Sequence, residues 1–256
     1  MLYGICNLSI VPLRLEPSDA TEMVSQVLFG EYFAILEREK KWSKIQLQYD
    51  NYEGYIDNKQ YLEISEELYT QLSEENHTVS GEILNFISDS RNNLTTIPIG
   101  CNLPFFDHTK FHLSSKKYNY DGITFTGLLP KKEIISIAYL FLNSPYLWGG
   151  RTPFGIDCSG FTQMVYKLCG YHLQRDAKQQ ATQGEVLSFI EESEPGDLAF
   201  FDNDEGMITH VGIIMKDYYI IHAHGKVRID LLDHSGIYNL DTKKHTHKLR
   251  VIKKII

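Results

Sequence analysis

The chain has no hydrophobic run long enough to span a bilayer. Met1 to Ile10 lacks the basic start, the long apolar stretch and the small-residue cleavage site of a secretory leader. If Met1 is the native start, the protein is expected to stay in the cytoplasm; if a leader has been removed, it is expected to be periplasmic or secreted. Cysteine is sparse. Cys6, Cys101, Cys158 and Cys169 stand far apart, without metal-ligand spacing and without the density of a disulfide framework. His222 and His224 share a strand face, but no third ligand accompanies them, so neither a metal nor another cofactor is expected. Positive charge is also short, with 25 Lys and Arg against 33 Asp and Glu and a formal net charge of −8. That balance argues against a nucleic-acid or anionic-membrane partner. A length of 256 residues permits two or three domains with cores of their own.

What is present centres on Pro145 to Gly160, a loop rich in glycine and proline that delivers Cys158 to an amphipathic run. Phe161, Val165, Leu168 and Cys169 recur at helical spacing, so the Cys158 thiol is expected in the first turn of a helix. Free backbone N–H groups and the positive end of the helix dipole gather there, and both favour a thiolate nucleophile. A base is available downstream. Thr209–Met215 and Tyr218–His222 read as two strands of a hairpin carrying His210 and His222. A three-residue loop at Met215–Asp217 would set the two histidines opposite each other on one face. One imidazole would then take the thiol proton while the other orients it.

The ordered blocks PYLWGG, DCSGF, RDAKQQ, EPGDLAFF, THVGI and IIHAHG resemble the NlpC family of bacterial cell-wall cysteine peptidases, over roughly Lys131 to the end. The resemblance implies a papain-like α+β domain over residues 130–256, with helices packed on an antiparallel sheet. It implies Cys158 as nucleophile, His210 as general base, His222 as its orienting partner and Tyr146 as a group polarising the scissile carbonyl. The implied substrate is a murein stem peptide, cut between γ-D-glutamate and a diamino acid during cell-wall turnover or recycling.

Residues 1 to about 65 read as short strands, among them Val24–Phe29, Tyr32–Glu37, Trp42–Leu47 and Gly54–Ile56, which imply a small β-barrel. This stretch resembles a bacterial SH3-like domain (residues 1–66). A weaker set of β-like runs, Thr95–Ile99, Pro104–Phe106 and Gly122–Phe125, suggests a second such unit over residues 67–129, with Glu66–Glu75 as helix or linker. Pro130 is expected to open a helix bearing Ile134, Ala138 and Phe141 on one face.

In the peptidase subgroup with SH3-like domains, the resemblance assigns substrate binding to Asp157, Ser159, Trp148, Arg175, Glu31 and Tyr52. Asp157 and Glu31 would hold a free N-terminal amine and Trp148 would form an apolar wall. Asp157 is equally placed to cap the Cys158 helix, Tyr146 to pack as an ordinary aromatic, and Glu31 and Tyr52 to lie on a barrel surface. Ala177 departs from relatives, in which a serine often follows the Arg-Asp pair, so the substrate hydrogen bond of that serine is not carried over. Two other readings stay open: a wall-binding protein whose SH3-like units do the work, and an acyl transferase using the same Cys and His.

Overall fold

The computed structural model describes residues 1–75 and 77–256, and the chain divides into two compact units, 1–127 and 128–256. In the first unit, seven short strands from Leu2–Ile5 to Leu62–Ile64 form one antiparallel sheet. The strands expected around Val24, Tyr32, Trp42 and Gly54 are all among them. Alternate residues turn inward, so Val11, Leu13, Val27, Phe33, Ile35, Ile45, Leu47 and Ile56 make one core. The four-stranded sheet that follows runs Leu94–Pro98, Leu84–Asp89, Lys116–Asn119, Lys110–Leu113, and Thr78–Ser80 pairs separately with Thr124–Thr126. Pro104–Phe106 is a turn rather than a strand, because Phe105 adopts a φ of 54° that a strand does not allow. Glu66–Glu74 is a helix, capped where the Ser65 hydroxyl accepts the Leu68 N–H at 3.2 Å.

The second unit is built on a fully antiparallel sheet. Its strands run in the order Glu185–Leu187, Lys244–Lys254, Leu198–Asp202, Ile208–Ile214, Tyr219–His224, Lys226–Asp233, Gly236–Asn239. The long Lys244–Lys254 strand also pairs with Gly236–Asn239, so six strands close into a ring. This strand serves three neighbours, meeting Glu185–Leu187 through residues 252–254 and Gly236–Asn239 through residues 244–248, and the pairing shifts at Phe200/Phe201 and at Ile237/Tyr238 bend the ladder. Ala199, Phe201, Ile214, Ile220, Leu232, Ile237 and Ile252 form a core between these strands.

The Cys158–Leu168 helix packs against Ile208–Ile214 and Tyr219–His224, with every one of its residues buried. Glu133–Tyr139 lies against it, burying Ile134 and Ala138 on the expected face. Pro130–Lys132 form the lead-in turn, with the Pro130 carbonyl accepting the Glu133 N–H. Among the described residues, no helix is long and apolar enough to cross a membrane.

Candidate active site

Cys158 is the first residue of its helix, as the sequence predicts, and Asp157 is the cap. The loop reaches this point through a close backbone approach. A side chain at Gly160 would meet the Gly150 carbonyl oxygen at 2.3 Å, so glycine is required where the helix start meets the loop. The Asp157 carboxylate accepts the Gly160 N–H at 2.6 Å and the Gly149 N–H at 2.9 Å. It also takes both Arg175 guanidinium nitrogens, at 3.0 and 2.6 Å, and the Ser159 hydroxyl at 3.3 Å. Arg175 reaches Ser159 Oγ as well, at 3.0 Å. Gln180 completes the brace, donating to the Ser159 carbonyl at 3.0 Å.

Asp157, Ser159 and Arg175 are buried and hold the helix start together. An ionised carboxylate has about four lone-pair sites, and the five donors around Asp157 fill them. The capping role that the sequence allowed for Asp157 is present. Trp148, by contrast, stands 60% exposed on the loop two residues after Tyr146.

The Cys158 sulfur faces the backbone N–H of Val211, the residue after His210. The ladder explains why that N–H is available: pairing between the two histidine strands ends at Gly212↔His222, leaving Val211 beyond it. Tyr146, anchored through its N–H to the Gly225 carbonyl at 3.0 Å, is half-buried and close enough to feel the charges of Cys158 and Asp157. Burial and those two groups raise the tyrosine's pKa, so it is a neutral donor. Burial, reinforced by the Asp157 charge, likewise pushes the Cys158 thiol up to about 12, against the opposing pull of Val211, Arg175 and Ser159. Desolvation thus opposes the thiolate that the helix terminus favours.

His210 Nε2 lies 2.8 Å from His222 Nδ1, so the structure joins the two histidines directly. Their register differs from the expected one. His222 pairs with Gly212, because the loop is Lys216–Tyr218, with Asp217 and Tyr218 in left-handed conformations. The histidines still share a face but meet diagonally. Gly212 makes that possible, since a β-carbon there would lie 2.9 Å from His222 Cβ. Burial, then the neighbouring His222, His247 and His224, holds His210 well below the usual imidazole range. Among the described residues no hydrogen bond joins the thiol to His210, a bond that in substrate-free sites commonly tightens only on binding.

Residues 143–249 match the model of the NlpC/P60 family, and residues 13–60 match that of a bacterial dipeptidyl-peptidase Sh3 domain. The chain carries an NlpC/P60 domain behind a bacterial SH3 domain. The match to the NlpC/P60 model contains all four residues expected to do the chemistry, Tyr146, Cys158, His210 and His222.

Two relatives are instructive. A γ-D-glutamyl-L-lysine dipeptidyl-peptidase of Bacillus subtilis (strain 168) is 40% identical over 36% of this chain and 31% of its own length. A dipeptidyl-peptidase 6 of Lysinibacillus sphaericus is 26% identical over 86% of this chain and 88% of its own length. The crystal structure of an NlpC/P60 family protein from Bacillus cereus ATCC 10987 has the same fold, with a TM-score of 0.82, 18% identity and 99% of each chain covered.

Sequence reasoning missed Asp230 and Arg228. His222 Nε2 is 3.0 Å from Asp230 Oδ2, and Arg228 grips the same carboxylate through Nε at 2.6 Å and Nη2 at 2.9 Å. The available signal was the alternation Arg228-Ile229-Asp230 after Gly225, which places both side chains on one strand face. His247 was also missed; its ring stacks on His210 at 4.1 Å. In the first unit, Glu31 is buried rather than on a barrel surface, with its carboxylate accepting the Leu28 N–H at 2.9 Å. Tyr52 is half-buried against the core of its own sheet. Among the described residues no cluster of His, Cys, Asp or Glu is arranged to hold a metal.

Proposed function

We propose that this chain is a cysteine peptidase that hydrolyses peptidoglycan stem peptides at the bond between γ-D-glutamate and the diamino acid. The observation that carries the reading is the Cys158 sulfur at a helix start, beside the two strands that bear the His210–His222 pair. The names of the relatives support the substrate class.

In the mechanism, the Cys158 thiol passes its proton to His210 as the sulfur attacks the γ-D-glutamyl carbonyl. Because both partners rest neutral, transfer accompanies attack rather than preceding it. The oxyanion is met by the Tyr146 hydroxyl and by the Cys158 N–H, one of the helix donors without an intrahelical partner. His210 then returns the proton to the leaving amine of the diamino acid. Water, activated by His210, hydrolyses the thioester; an amine in its place would make the reaction acyl transfer. The substrate in this reading carries a free N-terminal amine, as the sequence resemblance implies.

The test is to incubate the protein with L-Ala-γ-D-Glu-L-Lys, its N-acetylated form and intact sacculi, and to identify products by mass spectrometry. Release of L-Ala-D-Glu and lysine from the free tripeptide is expected, and none from a Cys158→Ala variant. Intact substrate in all three incubations would refute the reading.

A further inference from the structure

The hydrogen-bond chain behind His210 ends in a group whose direction is not negotiable. Asp230 is buried, with an exposure of 0%. Burial alone would favour its neutral form, yet His222, Arg228 and the Leu240 N–H at 2.9 Å together hold its pKa well below the usual carboxylate range. It is therefore an anion, and an ionised carboxylate only accepts. The proton between it and His222 must sit on His222 Nε2.

His222 is itself fully buried. Burial keeps it on the neutral side of its usual range, against the pull of Asp230 and with help from His224 and Arg228. A neutral imidazole bearing its proton on Nε2 has a lone pair on Nδ1. His210 Nε2, 2.8 Å from that lone pair, must then be the donor. His210 is neutral too, so its Nδ1 is bare.

We propose that Asp230, neutralised by Arg228, fixes the tautomers of His222 and His210 in turn and makes His210 Nδ1 the atom that receives the Cys158 proton. Asp230 and Arg228 are positioning residues, since neither touches substrate. Each has a separate task. Asp230 supplies direction, because without an obligate acceptor the two-histidine chain can run either way. Arg228 supplies restraint, because an unpaired buried carboxylate would draw a second proton onto His222 and turn its Nδ1 from acceptor to donor. Arg228 is tied at its other end to Asp241, through Nη1 at 2.9 Å. The inference rests on His210 being the general base, but the arrangement it describes exists without substrate.

Nitrogen-15 imidazole spectra of the histidine-labelled protein, without substrate, read the tautomers directly. Protonated Nε2 and bare Nδ1 on both His210 and His222 are expected; a proton on His210 Nδ1 overturns the proposal. In Asp230→Asn, kcat should fall by about 10–100-fold, by analogy with the loss of an outer partner of a metal-ligating histidine. KM should stay within about twofold, and the His210 proton should redistribute between its nitrogens. An Asp230→Asn protein with wild-type kcat and wild-type tautomers overturns the proposal as well. If that variant does not fold, the wild-type spectrum still decides. Expected tautomers in a protein that cleaves no murein peptide would refute the peptidase reading and leave the relay standing.

Discussion

Asp157 and Arg175 meet fork to fork inside the NlpC/P60 domain, with Nη1 3.0 Å from Oδ1 and Nη2 2.6 Å from Oδ2. The pair sits directly behind the nucleophile, and Arg175 is 1% exposed. Removing one member leaves the other as an unpaired buried charge, which costs about 3–5 kcal/mol. Arg175→Met is expected to lower the denaturant midpoint accordingly, and to reduce activity through loss of folded protein. Unchanged stability with a raised KM would instead show that Arg175 acts on the substrate rather than as a brace.

Gly212 leaves the space in which the two histidines meet. In Gly212→Ala the new methyl would lie 2.8 Å from Ile220 Cδ1 and 2.9 Å from His222 Cβ. Ile220 can swing aside, but His222 Cβ is fixed to its backbone. A stability loss of about 1–3 kcal/mol, typical of overpacking, is expected. A larger fractional loss of kcat should accompany it as the His210–His222 bond breaks. Thermal melts and steady-state kinetics on one preparation check both.

Tyr146 is the side-chain donor proposed for the oxyanion. Tyr146→Phe keeps the ring and removes only the hydroxyl, so kcat should fall by about 10²–10³, the cost of losing one such donor. Stability should be unaffected. Wild-type turnover would remove Tyr146 from the mechanism and leave it as packing.

The pH behaviour follows from three histidines held neutral by burial. His210 is shifted well below its usual value, His222 is lowered, and His247 is pushed down to about 3, in each case with burial as the largest cause. Unfolded, they would bind protons near pH 6.5. The unfolded state thus binds more protons below that value. Stability is full above about pH 6.5 and falls as pH drops, by up to about 1.4 kcal/mol per pH unit for each histidine that stays neutral in the fold. Chemical denaturation across pH 4–8 measures it; a flat profile below pH 6.5 contradicts the assignment. Alkylation of Cys158 should rise toward alkaline pH, and a plateau at acidic pH would show a preformed thiolate.

The sequence was most informative where pattern and geometry coincide. Helical spacing from Phe161 to Cys169 placed Cys158 in a first turn, and strand alternation put His210 and His222 on one face. It was least informative where contacts depend on register. A loop shifted by one residue, from Met215–Asp217 to Lys216–Tyr218, changed the partner of His222 from His210 to Gly212. Asp230 was hidden for the same reason, because only the pairing of Tyr219–His224 with Lys226–Asp233 brings it to the histidine chain. At Cys158 the local sequence displays the helix start but not the burial that opposes ionisation of the thiol.

The claim on which the account depends is that the Cys158 sulfur bonds to the γ-D-glutamyl carbonyl. Acid-quenched turnover of L-Ala-γ-D-Glu-L-Lys, followed by peptide mapping, tests it most directly. An L-Ala-γ-D-glutamyl adduct on the peptide containing Cys158, absent from Cys158→Ala, is the predicted result. Continued cleavage by Cys158→Ala, or an adduct mapped to another residue, would contradict it.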